Sequence, residues 1–377
     1  MQVGNRLKLL RSHMERESIS SIIVMNPDHQ YYLSGFKALL YSRPIVLYID
    51  FNKASIIVPG LEEAHARHEA IVDEIEVYYE HPNASNSKLN HFEYIEDLIS
   101  ENENGSTVGV DLSSTPGEIV QFAQKFGCKI ADIGQKIVEM RYIKDSYEID
   151  LLEKSGELVN LAVSESLKSC KEGITEMEMD AVGNSALFAA TASQYPQATL
   201  DMFVMSPSGV KRSNMPHVFS NTRKLRTGDV MIHSRQVGLN GYRAELERTV
   251  IIGGPTEEQK KAFESARIAQ QKALDFIKPG VKAYEVDKIA REVFEKDGYG
   301  EYAIHRTGHG IGISAHEKPY LRYDNDLILE EGMVFSVEPG IYVPGLGGFR
   351  HSDTVVLTSD GSRLITEYPR DLASLIF

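Results

Sequence analysis

The segment 228–254, GDVMIHSRQVGLNGYRAELERTVIIGG, constrains this chain more than any other stretch. Asn240-Gly241 stands between two alternating runs. That dipeptide is the strongest short-range signal for a two-residue hairpin, because both central residues must accept positive φ. Such a turn pairs Leu239 with Tyr242 and sets Ser234 opposite Glu247. Side chains alternate across a strand, so Glu245 shares the face of Glu247, while His233 and Leu246 take the other. Two carboxylates on one sheet face in apolar surroundings raise at least one pKa unless a cation intervenes. Taken alone, the segment fits a solvent-wetted edge strand as well as it fits a functional site.

Around the hairpin, helical and strand patterns divide the chain in two. Residues 5–16 read as a helix, and 21–25, 44–50, 54–58, 108–110 and 129–132 as strands, so 1–140 is a small α/β layer. A boundary falls near 140–146. Beyond it, apolar spacing predicts helices to 171, over 256–277 and over 283–296, with Asp145 or Ser146 and then Thr256 as N-caps. Strands are expected at 230–237, 242–252, 333–338 and 353–358. Helices beside antiparallel strands make 141–377 an α+β domain. Gly345-Leu346-Gly347-Gly348 does not follow a strand and open a helix as phosphate loops do, so it reads as a flexible flap.

Composition excludes several function classes. A net charge of −14 with no basic stripe argues against nucleic acid as a partner. No apolar run approaches the ~20 residues of a membrane span, and no apolar signal segment follows Met1, so the expected location is cytoplasmic. Cys128 and Cys170 are the two cysteines and have neither disulfide-framework nor zinc-ligand spacing.

Further chemistry sits in HRTGHGIGISAHE (305–317), MVFSVEPGIY (333–342) and FRHSDT (349–354). Glu338 lies inside an apolar run, and a buried carboxylate requires a partner. His309 lies between glycines, which let other groups approach closely. In this order and spacing the motifs resemble the creatinase/prolidase/methionine aminopeptidase family, and the resemblance extends over 1–140. It implies a pita-bread catalytic domain over 141–377, preceded by a creatinase-type N-terminal domain over 1–140.

In the peptidases of that family, Asp, Asp, His, Glu and Glu hold two metal ions. The corresponding positions here are Ser234, Glu245, His309, Glu338 and Ser352, and a neutral serine cannot replace a bridging carboxylate. His233 and His351 lie beside the two lost ligands but face the wrong way, unless a bulge turns them. The departures resemble the metal-independent creatinase branch. By that resemblance His217 is the acid/base, Glu247 and Glu338 clamp a substrate cation, and His309 and His316 line the pocket. Tyr41 and Arg43 of a homodimer partner meet a substrate carboxylate. A second carboxylate-binding arginine of creatinase has only loose counterparts here, Arg322 or Lys318. Glu245 adds a charge that creatinase lacks.

The expectation is therefore a hydrolase cleaving a C–N bond in a small cationic or zwitterionic molecule (creatine, a related guanidino acid or a cyclic amidine) with no cofactor. One alternative is an Xaa-Pro dipeptidase or aminopeptidase with a single Mn, Fe, Co or Zn ion on Glu245, His309 and Glu338. Another is a non-catalytic binding module on the same fold.

Overall fold

The computed structural model describes residues 2–39, 42–81, 88–100 and 105–377. They form two compact units, Met1–Arg141 and Tyr142–Phe377. Among the described residues no helix is long and apolar enough to cross a membrane.

The first unit carries strands β1 (Ser21–Val24), β2 (Val46–Asp50), β3 (Ala54–Pro59), β4 (Glu74–Tyr78), β5 (Thr107–Val110) and β6 (Lys129–Asp132). They form one sheet in the order β4-β3-β2-β1-β5-β6. Its helices are α1 (Val3–Glu17), α2 (Pro27–Ser34), α3 (Glu63–Glu69), α4 (His91–Ser100), α5 (Gly117–Lys125) and α6 (Gly134–Met140). Ile23, Val46, Tyr48 and Val108 from the sheet share a core with Ile95 and Ile119 from α4 and α5. Each such side chain contributes ~2 kcal/mol by leaving water.

The second unit opens with α7 (Ser146–Lys168) and α8 (Glu176–Gln194), followed by strand β7 (Leu200–Met205) and the short α9 (Gly209–Ser213). Next come β8 (Val230–Leu239), β9 (Tyr242–Ile251), α10 (Glu257–Phe276) and α11 (Ala283–Lys296). The remaining strands are β10 (Gly308–Gly310), β11 (Glu317–Leu321), β12 (Val334–Val337), β13 (Gly340–Val343), β14 (Gly347–Arg350), β15 (Ser352–Thr358) and β16 (Gly361–Leu364). The main sheet runs β11-β10-β12-β15-β9-β8-β7, with β16 on β15; β13 and β14 form a separate hairpin.

Local chemistry sets these elements. Asn240 and Gly241 both have positive φ (46° and 84°), as a tight hairpin turn demands. The resulting register joins Leu239 to Tyr242 and Ser234 to Glu247. Asp145 caps α7 through a reciprocal box with Glu148, and Thr256 caps α10 with Gln259. Ser155 of α7 donates to Tyr242 O at 2.7 Å and accepts from Leu239 N at 3.1 Å, pinning the helix across the turn.

Among the departures from the sequence reading, two bear on the second unit. Helix α8 escapes it because the buried stripe is Glu176, Met179, Asp180, Gly183, Leu187 and Thr191, which has no apolar period. The expected flap at 345–348 is instead ordered backbone leading into β14. Gly348 packs so closely that a Cβ there would meet Ser213 O at 2.1 Å.

Candidate active site

The β8–β9 register delivers Glu245 and Glu247 to one face, where β12 and β15 bring Ser336, Glu338 and Ser352. Donor oxygens of Glu245, Glu247 and Glu338 lie within 4.8 Å of one another, and all three side chains are buried. His309 joins them from β10. Its flanking glycines make this possible, since a Cβ on Gly308 would meet Ser336 O at 2.2 Å and one on Gly310 would meet Lys318 O at 2.7 Å.

Each carboxylate has a distinct environment. Glu245 is held by neutral donors. Gln236 Nε2 donates to Oε2 at 2.5 Å, and Ser336 and Ser352 hydroxyls donate to Oε1 at 2.5 and 2.8 Å. Glu338 Oε1 lies 3.4 Å from His309 Nε2, and Oε2 lies 3.8 Å from Arg350 Nε. Burial alone would raise its pKa, but His309 and Arg350 hold it well below the usual carboxylate range. Glu247 meets Arg350 side-on, with Nη2 to Oε1 and Nε to Oε2 both at 2.6 Å. Burial, reinforced by Glu245 and Glu338, pushes Glu247 up to about 7 against the pull of Arg350.

Arg350 is a site residue that the sequence reading misses. It belongs to the FRHSDT motif, two residues before Ser352, and three buried carboxylates need a cation. Its Nη1 donates to Tyr342 Oη at 3.0 Å, and that hydroxyl sits 3.0 Å from His305 Nε2. His305 Nδ1 lies 2.7 Å from Arg306 O and so carries the proton, leaving Nε2 to accept from Tyr342. A continuous line of polar contacts thus runs from His305 to Glu247.

His309 shows a second asymmetry. Its Nδ1 donates to Gly310 O at 2.9 Å, so a neutral ring turns the Nε2 lone pair toward Glu338. Nε2 is buried with no well-aligned hydrogen-bond partner. Two acceptors facing each other require a proton or another cation between them. Burial lowers the pKa of His309, but Glu338 and Glu245 outweigh it and raise the net value. The more exposed His316 stacks on His309 with ring centroids 3.9 Å apart. These two imidazoles and Glu245 form a second group able to hold an ion.

The other expected histidines make no hydrogen bond or ion pair with this cluster among the described residues, and the partner-site role expected for Tyr41 and Arg43 concerns a second copy of the chain. His217 is exposed in a loop, with no hydrogen bond to this cluster among the described residues. Arg43, in the first unit, donates to Glu80 at 2.8 Å. Tyr41 lies outside the described residues. His233 faces away, bonding Ser206 Oγ at 2.8 Å and accepting from Arg235 Nε at 3.2 Å. His351 packs edge-on against Phe263 at 4.8 Å, also off the site face. Neither histidine replaces a lost ligand.

Comparison with known proteins identifies the family. Residues 150–359 match Metallopeptidase family M24, and residues 6–143 match the Creatinase/Prolidase N-terminal domain. An Xaa-Pro dipeptidase of Pyrococcus furiosus is 32% identical over 368 residues, covering 97% of this chain and 99% of that protein. Among solved structures, the prolidase of Pyrococcus horikoshii aligns with a TM-score of 0.85 at 29% identity, over 98% and 99% of the two chains. An Xaa-Pro dipeptidase from Bacillus anthracis gives 0.85 at 26% identity over 100% of both. The chain belongs to metallopeptidase family M24 and carries that family's pita-bread domain behind a creatinase-type N-terminal domain.

Two expectations are thereby corrected. The metal-independent, creatinase-like hydrolase gives way, because the full-length relatives are Xaa-Pro dipeptidases. The physical reason is Arg350: the guanidinium assigned to the substrate is supplied by the protein, so Glu247 needs no substrate cation. The expectation of no cofactor also falls. The matched family is one of metallopeptidases, and the described residues contain two metal-competent groups.

Proposed function

We propose that this chain is a metal-dependent dipeptidase acting on Xaa-Pro substrates, with Glu245, His309 and Glu338 as the protein ligands of a divalent ion. The reading rests on the buried His309 Nε2, turned toward Glu338 with no aligned hydrogen-bond partner. An imidazole and two carboxylates suit a catalytic ion that keeps a position open for water or substrate. The donors fit one ion better than two. The positions that would complete a second are Ser234 and Ser352, and Arg350 already neutralises Glu247.

Bound there, the ion would polarise the scissile carbonyl and lower the pKa of an attacking water. The protein groups do the rest. Gln236, Ser336 and Ser352 fix the Glu245 carboxylate. The Gly310 carbonyl fixes the His309 tautomer and so aims Nε2. Glu247, pushed up to about 7 by burial and held in place by Arg350, can exchange a proton beside the reacting centre. The test is cleavage of Ala-Pro and Gly-Pro after chelation and after adding Mn²⁺ or Co²⁺. Activity that appears only with metal supports the reading; full activity in chelator, or none under any metal, overturns it.

A further inference from the structure

We propose that Lys144 is a positioning residue: its buried ion pair with Glu317 fixes the loop 311–317 and so holds the His316 imidazole against His309. The inference rests on the dipeptidase reading.

The loop needs such a fastening. Between β10 and β11 the pairing slips, with His309 opposite Tyr320 but Gly310 opposite Glu317. A slip of this kind leaves the intervening backbone outside the ladder, so strand pairing alone does not set its course. Side chains do. Lys144 Nζ lies 3.3 Å from Glu317 Oε2, and both side chains are almost fully buried, at 2% and 5% exposure. Glu317 Oε1 accepts from Ser314 N at 2.9 Å and closes the turn ahead of β11. The loop packs directly on this pair, since a Cβ on Gly312 would meet both Glu317 carboxylate oxygens and Lys144 Cε at 3.1 Å. Lys144 is itself fixed on both sides. Its N–H donates to Gly332 O at 2.9 Å, beside the Ile143–Met333 bridge that leads into β12, and Asp145, the cap of α7, follows it.

His316 directly precedes Glu317, so the anchored carboxylate sets where the imidazole starts. The ring is exposed, and packing does not hold it from the solvent side. It stacks on His309 with centroids 3.9 Å apart, and its Nδ1 accepts from Arg306 Nη2 at 3.2 Å. With Nδ1 so occupied, a neutral ring carries its proton on Nε2. Such a donor beside the ion serves the reaction only where it meets the developing charge closely. Stability does not explain the ion pair, because an apolar pair of similar volume in its place is often neutral or stabilising. A directional contact that selects one loop geometry does explain it.

The experiment follows Ala-Pro turnover per folded molecule in metal-loaded wild type, Lys144→Met, Lys144→Arg and the double variant Lys144→Met/Glu317→Met. Urea denaturation and metal content are measured alongside. Lys144→Met should lower kcat by ~10- to 100-fold with KM within a few-fold and metal content unchanged, the scale for displacing a group by about 1 Å. Lys144→Arg keeps the charge and should recover part of that loss. The double variant replaces the pair by apolar side chains, so it should regain wild-type stability while kcat stays low. That outcome separates positioning from stability, and it carries the test if Lys144→Met does not fold. Proton NMR of histidine-labelled, chelated protein reads the ring directly. The His316 resonance, assigned by its loss in His316→Gln, should move from its stacked position toward that of free imidazole in both Lys144→Met and the double variant. Full kcat per folded molecule in Lys144→Met, or a double variant that regains both stability and kcat, overturns the positioning and leaves the peptidase reading standing. If wild type cleaves no peptide under any metal, the peptidase reading falls, and an unmoved His316 resonance in these variants then overturns the positioning as well.

Discussion

The two faces of the β8–β9 hairpin bury charge in opposite ways. On one face, Arg235 donates to Asn184 Oδ1, Ser166 Oγ, Asp180 O and His233 Nε2. Arg248 donates to Asp353 and to the carbonyls of Glu247, Ser352, Tyr368 and Pro369. Those charges are closed, with every guanidinium nitrogen answered. The other face holds Glu245, Glu247, Glu338, His309 and Arg350; there Glu247 Oε2 and Arg350 Nε answer each other as an ion pair at 2.6 Å, and His309 Nε2 lacks an aligned partner. Both faces are buried, so burial does not mark function here. Unanswered valence does, because an open buried polar atom costs about 1–3 kcal/mol and persists only where something else selects it.

The sharpest break of this comparison pairs Glu338→Gln with Arg248→Met. Glu338→Gln removes an ion ligand, and turnover of Ala-Pro should fall at least ~10³-fold with loss of bound metal while the fold persists. Arg248→Met strands Asp353, and urea denaturation should show a loss of about 3–5 kcal/mol. Turnover per folded molecule should be retained in that variant. If Arg248→Met instead halts catalysis at full stability, or Glu338→Gln unfolds the protein, the division between closed and open faces is wrong.

How far this division is legible in the sequence depends on the range of the signal. The hairpin is legible because period-two alternation and an Asn-Gly turn are local, and together they fix the register that sets Glu245 and Glu247 on one face. Glu338 and His309 are legible because a carboxylate in an apolar run and an imidazole between glycines violate ordinary patterning. The Arg350–Glu247 pair is not. It joins residues 103 positions apart, and nothing local says whether an arginine faces a partner or the solvent. Without that pair, a satisfied glutamate reads as a substrate clamp.

Acid–base behaviour sharpens the comparison at intermediate cost. Burial raises Glu247 from an ordinary 4.5 to about 7. A group whose folded pKa is raised stabilises the fold fully below its unfolded pKa, and that contribution is lost as pH rises through the folded value. Chelated wild type should therefore lose ~1–3 kcal/mol of stability between about pH 4.5 and 7.5, the range a shift of this size allows. Raised His309 acts in the same direction. Depressed Glu338 acts oppositely, its contribution being present above 4.5 and lost only in strong acid. Glu247→Gln removes the first of these, so its denaturation midpoint should vary less with pH across that window. Equal slopes for wild type and variant would mean that the pair with Arg350 keeps Glu247 ionised throughout.

The smallest effect concerns the one place where the closed face resembles the open one. His351 is completely buried, and neither ring nitrogen has a partner. Burial, with Arg248, Arg370 and Arg267 nearby, drives its pKa well below the ordinary value, so the ring is neutral and acts as an edge-on neighbour of Phe263. Its valences are open but aim at no ligand, which separates it from His309. Replacing a buried, unsatisfied polar group with an apolar one of similar size is neutral or favourable. His351→Leu should change stability by less than about 1 kcal/mol, in the stabilising direction if at all. Metal content and turnover should match wild type. A loss of metal in this variant would show that His351 swings to the site face in solution and completes the donor set that Ser352 leaves short; unchanged metal with a higher denaturation midpoint would leave the open valence at His309 as the one marked for function.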